Sequence, residues 1–133
     1  MTTSRDLSEK LSKAGLEIES EKYHIFNKVR EVWQVKIGLS ECVKEHTESW
    51  KYIPAPSSDE LLAVMPEYTT INEIPGVDTL EITKLRPNLY VVRYGIMIAY
   101  NDKSLPEALG LMCLWLLQNG YHYDKEKKCL VKS

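Results

Sequence analysis

Residues 105–120, LPEALGLMCLWLLQNG, decide the fold of this 133-residue chain. Ser104 and Glu107 have the spacing of a capping box, which predicts a helix that starts there and ends at Gly120. A helix that rests on a single sheet keeps a polar outer stripe, and this one has no polar residue between 111 and 117. Both of its sides must therefore be covered.

Three covers for this helix remain open: the first helix of the chain, the segment 38–56, or a second copy of the molecule. Met112 and Trp115 would be natural anchors if the cover is another chain, because methionine and aromatic residues are enriched in interfaces. The alternative is an ordinary core helix, since apolar residues are by default buried within their own chain. A homodimer or another protein partner is accordingly one expectation.

The mid-chain segment 52–62, YIPAPSSDELL, predicts a second helix start. Its two prolines hold the preceding backbone extended. Ser57 and Glu60 then have capping-box spacing, so a helix begins at this point and stops near Pro66. A phosphate site at this helix start is the other reading, but Asp59 and Glu60 already place negative charge where an anion would bind.

Alternating apolar residues predict strands on both sides of that helix. Residues 17–26 and 29–37 are predicted as a hairpin with one face buried, whereas 38–51 has no sustained period and is predicted as a loop or loose helix. Residues 79–85 predict a strand with one wet face, followed by a turn at 86–88. Residues 89–100, LYVVRYGIMIAY, predict one long strand with a bulge or bend at its glycine.

The two ends of the chain complete the pattern. Residues 4–14 predict a short amphipathic helix that Gly15 ends, and 121–133 predict a small hairpin or edge strand turning at 125 and 126. The resulting order predicts a single α+β domain spanning 1–133. We expect an antiparallel sheet of about four or five strands packed with about three helices, an arrangement similar to an αβα sandwich.

Composition excludes several classes of function. The 17 basic and 19 acidic residues give a formal net charge of −2, so the charge does not favour nucleic acid as a partner. The longest apolar stretch, 111–117, is far shorter than the roughly 20 residues of a membrane-spanning helix, and the polar N-terminus lacks a secretory signal. Three widely spaced cysteines are not a disulfide framework, so we expect a cytoplasmic protein.

Two combinations of cysteine and histidine are candidate sites of chemistry. Cys42 and His46 would share one face of a helix, but they supply only two of the four ligands that a structural zinc site needs. A Cys-His nucleophile pair is formally possible, yet Cys113 lies in an apolar run where a thiol does not ionise readily. The sequence therefore predicts no metal, no cofactor and no catalysis.

The segments IPAPSSDELL, 53–62, and SLPEALGLMCLWLLQNGY, 104–121, resemble those of small uncharacterised proteins of gut bacteria and their prophages. The nearest group is the phage-type αβα sandwich proteins, and the resemblance covers roughly residues 50–120. It implies an α/β sandwich without known catalysis, so no functional residues carry over from it.

The expected function is binding, as a protein-interaction or assembly module without catalysis. The alternative is a small-ligand-binding protein with a pocket near 38–56, which Trp33, Trp50 and Tyr52 would line. A Cys/His-dependent enzyme is the third possibility.

Overall fold

The computed structural model describes residues 1–69, 78–85, 87–95 and 98–133. The helices are α1 (Arg5–Lys13), α2 (Glu41–Glu45), α3 (Ser58–Val64) and α4 (Leu105–Gln118). The strands are β1 (Lys22–Asn27), β2 (Val32–Ile37), β3 (Trp50–Pro54), β4 (Tyr68–Thr69), β5 (Asp78–Leu85), β6 (Leu89–Tyr94), β7 (Ile98–Asp102), β8 (Tyr121–Asp124) and β9 (Cys129–Lys132). The predicted α+β class is confirmed.

The strands are divided among three antiparallel sheets, where the sequence predicted one. Their orders are β2-β1-β3, β4-β5-β6-β7 and β8-β9. The predicted number of helices was also too low, because α2 forms within the segment that showed no period. Helix α4 packs on one face of the four-stranded sheet, with α1 and α3 against α4, while Glu81 and Arg93 on the other face of the sheet are exposed and form an ion pair. The described residues thus form a two-layer packing at this sheet and not an αβα sandwich.

Helix α4 is the centre of the core, which explains its lack of a polar stripe. The strands β6 and β7 pack on one side of it, and α1, α3 and β8 pack on the others. Leu109, Met112 and Leu116 are completely buried between these elements. The first helix, one of the three predicted covers, is confirmed as a cover, and α3 is a second cover that was not predicted.

A small residue allows α1 to approach α4 closely. A Cβ atom built on Gly110 would lie 2.6 Å from Cδ2 of Leu7 and 3.0 Å from Cγ2 of Thr3. These distances are shorter than van der Waals contact, so any larger residue at position 110 must displace buried side chains. Glycine is unfavourable inside a helix by itself, and here the packing of α1 explains its presence.

The stretch 89–100 is two strands and not one. Strands β6 and β7 are antiparallel neighbours, with Tyr94 opposite Ile98. Gly95 follows Tyr94 with a φ of 61°, a conformation that favours glycine. The predicted bend at Gly95 is therefore a complete chain reversal, which adds a strand to the sheet. Ile96 and Met97 lie outside the described residues, as does Arg86 of the turn predicted at 86–88.

The remaining local predictions have mixed outcomes. The first hairpin forms, with Asn27 opposite Val32, and so does the hairpin β8-β9 at the C-terminal end. Gly15 and Gly120 follow α1 and α4 with φ of 101° and 92°, as helix-ending glycines do. Strand β3 was not predicted, because the prolines before α3 indicate an extended connection and do not by themselves indicate pairing with β1.

The two predicted capping boxes behave differently. At α3, the Ser57 Oγ accepts from the Glu60 backbone N at 3.3 Å, and the Glu60 carboxylate accepts from the Ser57 backbone N at 3.0 Å. At α4, Ser104 forms no side-chain cap, so the prediction there was wrong. The Glu107 carboxylate instead accepts hydrogen bonds from the backbone N and the Oγ of Ser4. It thus joins the N-termini of α1 and α4.

This difference predicts unequal effects of two serine substitutions. We expect Ser57→Ala to lower the free energy of unfolding by about 1 kcal/mol, because it removes a formed cap. Ser104→Ala should cost less than about 0.5 kcal/mol, because no cap bond is lost. Urea unfolding followed by circular dichroism measures both. Equal losses in the two variants would contradict the assignment of the caps.

Candidate functional site

The three-stranded sheet β2-β1-β3 is attached to the core through the N-terminal segment. The backbone N of Thr3 donates to the carbonyl of Pro56 at 2.9 Å. The Nε2 of the buried His24, in the middle of β1, lies 3.0 Å from the carbonyl of Thr3. A carbonyl can only accept, so Nε2 carries the hydrogen. Residue 3 therefore connects β1 to the segment that leads into α3.

His24 is held in its neutral form. Burial lowers the pKa of the imidazole below its ordinary value of 6.5, and the positive charge of Arg5 acts in the same direction. The hydrogen bond to Thr3 and the carboxylates of Glu107 and Glu9 oppose this shift without cancelling it. The histidine therefore serves as an uncharged donor that fixes the sheet to the N-terminal segment.

The pairing of the strands assigns each residue to one side of the sheet, because residues directly opposite one another share a face. On the side that meets α1, Phe26 lies opposite Trp33, and their ring centroids are 5.0 Å apart. The Arg5 guanidinium lies 5.0 Å from the centroid of the same tryptophan ring. The other side contains Trp50 and Tyr52. The structure thus separates Trp33 from the two residues with which it was predicted to line a pocket.

The side of the sheet away from α1 contains a concavity of about 400 Å³, which we call the sheet hollow. Its lining combines apolar and aromatic surface with amides and two cationic side chains, and it includes no acidic residue. The lining residues are Ile25, Asn27, Arg30, Val32, Gln34, Lys36 and Trp50. A cavity beside Trp50 was predicted, but residues of the first hairpin form it and the segment 38–56 contributes only Trp50.

Strand β2 is the most exposed element of this sheet. Its apolar side chains Val32, Val35 and Ile37 are 46%, 51% and 74% exposed. Among the described strands, β2 pairs only with β1, so its other edge is open. The alternation in 29–37 was interpreted as a strand with one buried face, and for β2 this was wrong. No helix or sheet of the described chain covers the apolar side chains.

One hydrogen bond determines which backbone groups of β2 face this open edge. The backbone N of Gly38 donates to the carbonyl of Glu21 at 2.8 Å, just beyond the pair formed by Ile37 and Lys22. In an antiparallel ladder hydrogen-bonded and non-hydrogen-bonded pairs alternate. The N–H and C=O groups that point away from β1 are therefore those of alternate residues along β2, namely Trp33, Val35 and Ile37.

The two anchors predicted on α4 are placed in the core and at its margin. Met112 is completely buried, so it has no surface to offer to a partner. Trp115 is partly buried and packs against the core cluster, while its carbonyl accepts from Asn119 Nδ2 at 2.8 Å. Among the described residues, β2 carries three of the exposed large apolar side chains, and α4 carries none.

The cysteine and histidine side chains are not arranged around a common site in the described chain. Burial raises the pKa of the Cys113 thiol to about 12, which leaves it un-ionised at neutral pH. His46 follows the end of α2, and its Nδ1 lies 3.1 Å from the Glu48 carboxylate. Nothing is described for the Cys42 side chain. Within the described residues, no three potential metal ligands converge.

A second concavity, of about 500 Å³, lies between α3 and the β8-β9 hairpin. Several charged groups in its lining are already engaged. Lys125 forms an ion pair with Glu17 at 2.5 Å, and the Glu60 carboxylate accepts from Ser20 Oγ and from the Ser57 backbone. These contacts stabilise the fold, so the sheet hollow and the β2 edge are the stronger candidates.

Comparisons with known proteins leave the site to be interpreted from its own geometry. No family model matches the chain, and no curated protein or solved structure was found to match it. In the described part of the chain, each helix is too short or too polar to cross a membrane.

The neutral state of His24 predicts a pH dependence of stability. As the pH falls below 6.5, the unfolded chain binds a proton at this histidine before the folded chain does, because the folded pKa is lower, so the free energy of unfolding falls with the pH. We expect His24→Gln, which keeps a donor for Thr3, to show a smaller loss between pH 7.5 and pH 5. Denaturant unfolding at a series of pH values measures the slopes, and parallel slopes in both proteins would contradict the assignment.

Proposed function

We propose that this protein works by binding another protein through the open edge of β2, as an interaction or assembly module without catalysis of its own. The observation that supports this function is that Trp33, Val35 and Ile37 direct their backbone groups to the open edge and carry partly exposed apolar side chains on one face beside it. Strand addition uses these two features: backbone hydrogen bonds supply affinity, and alternate side chains supply specificity.

The β2 edge lacks the usual protection against pairing. Edge strands that must stay unpaired are short, or carry charges, prolines or bulges. Strand β2 has six residues in regular register with β1, and its sequence VWQVKI contains one charge, at Lys36. The backbone groups of Lys36 face β1, and its side chain lies on the side of the sheet hollow. The edge itself is therefore apolar and suited to accept a strand.

The setting of this function is also part of the proposal. The cysteine content supports a cytoplasmic location, and the resemblance of residues 50–120 supports a bacterial or prophage origin. Both are compatible with a small domain that acts by assembly with other proteins.

A fluorescent peptide with the sequence of residues 31–38, EVWQVKIG, is a direct probe of strand addition. We expect it to bind the protein with a dissociation constant in the range of about 10 to 500 μM, because a single added strand is a small interface. Fluorescence anisotropy measures the binding. Hydrogen exchange should slow at the amides of Trp33, Val35 and Ile37, which point to the open edge, more than at Gln34, which faces β1.

Two variants with the same change of charge distinguish the edge from the rest of the surface. Val35→Lys places a charge in the centre of the edge and should weaken peptide binding at least about tenfold. Val29→Lys changes an 80% exposed residue in the neighbouring turn and should leave the affinity unchanged. Equal binding by both variants would disprove the proposed function, as would failure of the wild-type protein to bind the peptide.

Small-ligand binding is a second candidate function, which the lining of the sheet hollow favours. Arg30 and Lys36 provide positive charge without a nearby acidic lining residue, and Trp50 provides a flat apolar surface. Asn27 and Gln34 add amide groups that can donate hydrogen bonds. This combination suits an organic anion with an aromatic part.

The ligand candidate predicts a selective effect of 2-naphthalenesulfonate, an aromatic anion. Of the three indole N–H signals in the NMR spectrum, that of Trp50 should shift on titration, whereas those of Trp33 and Trp115 serve as internal controls. Lys36→Glu should weaken binding about tenfold by removing an attractive charge and adding a repulsive one. Lys51→Glu makes the same change on the opposite side of the sheet and should have little effect. Equal shifts of all three signals would reject the hollow as the site.

A further inference from the structure

We infer that the strand which occupies the β2 edge is the β2 strand of a second copy of this chain, paired antiparallel about a twofold axis at Val35. This inference rests on the proposed function and names the partner. This pairing joins two three-stranded sheets into one continuous six-stranded sheet. Its order is β3-β1-β2 from one copy, followed by β2-β1-β3 from the partner.

The phase of the backbone hydrogen bonds identifies the axis. A twofold axis perpendicular to an antiparallel pair passes midway between one residue and its own copy, so the residue on the axis sets the register. An axis at Val35 pairs all three of the outward-directed residues Trp33, Val35 and Ile37. An axis at Gln34 or Lys36 would pair only two of them, and an axis at Lys36 would also place two lysines opposite one another. An axis at Trp33 or Ile37 would place the pairing beyond an end of the strand.

With the axis at Val35, every outward group of β2 finds a partner. Val35 lies opposite the partner's Val35, and Trp33 lies opposite the partner's Ile37. The third pair is Ile37 with the partner's Trp33, and each pair exchanges two backbone hydrogen bonds. The open edge is therefore complementary to itself along its full length.

The side chains of these pairs form a continuous apolar stripe on the side of the sheet that meets α1. An aromatic ring opposite a β-branched side chain is a favourable cross-strand pair. The pairing would reduce the 51% and 74% exposure of Val35 and Ile37. The inferred dimer thus accounts for a row of exposed apolar residues that a monomer leaves without a role.

The charges of β2 also fit this register. Lys36, the only charged residue of the strand, lies opposite the partner's Gln34 and not opposite the partner's Lys36, so no like charges face one another. Gln34 and Lys36 both line the sheet hollow. The partner's Lys36 therefore adjoins the hollow of the first copy, and the two hollows form one trough across the axis.

Sedimentation equilibrium of the full chain tests the inference. We expect a concentration-dependent mass between 15.4 kDa and twice that value, with a dissociation constant of roughly 10 to 500 μM. Val35→Lys should weaken dimerisation at least about tenfold, because it places two positive charges on the axis. Val29→Lys, with the same charge change outside the strand, should dimerise like the wild type.

The self-pairing of residue 35 permits a test of the register. Val35→Lys and Val35→Glu should each be monomeric alone at 100 μM, a concentration of about the expected dissociation constant of the wild type. An equimolar mixture should form a heterodimer in native mass spectrometry, because opposite charges then meet on the axis. The matched mixture of Val29→Lys and Val29→Glu should show no preference for heterodimers over homodimers. Failure of the residue 35 mixture to associate would overturn the inferred register.

The outcomes separate this inference from the proposed function. If the wild-type protein binds the 31–38 peptide but stays monomeric up to about 1 mM, strand addition stands and the second copy is not the occupant. If the protein dimerises but Val35→Lys does not weaken the dimer, the interface lies elsewhere and the inference is overturned. If neither peptide binding nor dimerisation occurs, both proposals fail.

Discussion

The packing of α4 against elements on several of its sides is the constraint on which the rest of the structure depends. Its apolar residues are buried by β6 and β7 on one side and by α1 and α3 on the others. This burial requires a close approach of α1, which Gly110 allows and which the Glu107 hydrogen bonds to Ser4 support. The position of the N-terminal segment is thereby set. Thr3, placed by α1, then holds both Pro56 and His24, so the three-stranded sheet depends on the same core.

This arrangement leaves the three-stranded sheet only partly covered. Its central strand β1 is shielded at His24 and Ile25, and β3 is shielded at Ile53. The edge strand β2 lies farthest from the anchoring contacts and has no described element beyond it. Apolar residues that would form a core face in a larger domain are therefore exposed here. Their exposure does not weaken the packing of α4. Burial in the core is therefore not the reason that these residues are apolar.

The sequence predicted those features that local chemistry determines. The cap at Ser57 and the helix ends at Gly15 and Gly120 depend on a few neighbouring residues, and all three formed. The cap at Ser104 did not form, although its spacing is the same, and the Glu107 carboxylate is bound instead by Ser4 of a distant segment. The reversal at Gly95 was underestimated for a related reason. An apolar run on both sides of a glycine is consistent with one long strand or with two adjacent strands, and only pairing distinguishes them.

Some residues of the candidate site were predictable from the sequence, but their arrangement in the sheet was not. Trp50 was expected to border a cavity, and it does. Trp33 is on the opposite side of the sheet, because it lies opposite Phe26 whereas Trp50 lies opposite the next residue, Asn27, and neighbouring residues of a strand face opposite sides. The same alternation that separates them brings Trp33, Val35 and Ile37 together with their free backbone groups at one edge. A period of two in the sequence reveals which residues share a face, but it does not reveal whether a sheet covers that face. In β2 the apolar face and the unpaired backbone coincide, and this coincidence is the physical basis for proposing that the protein binds through this edge.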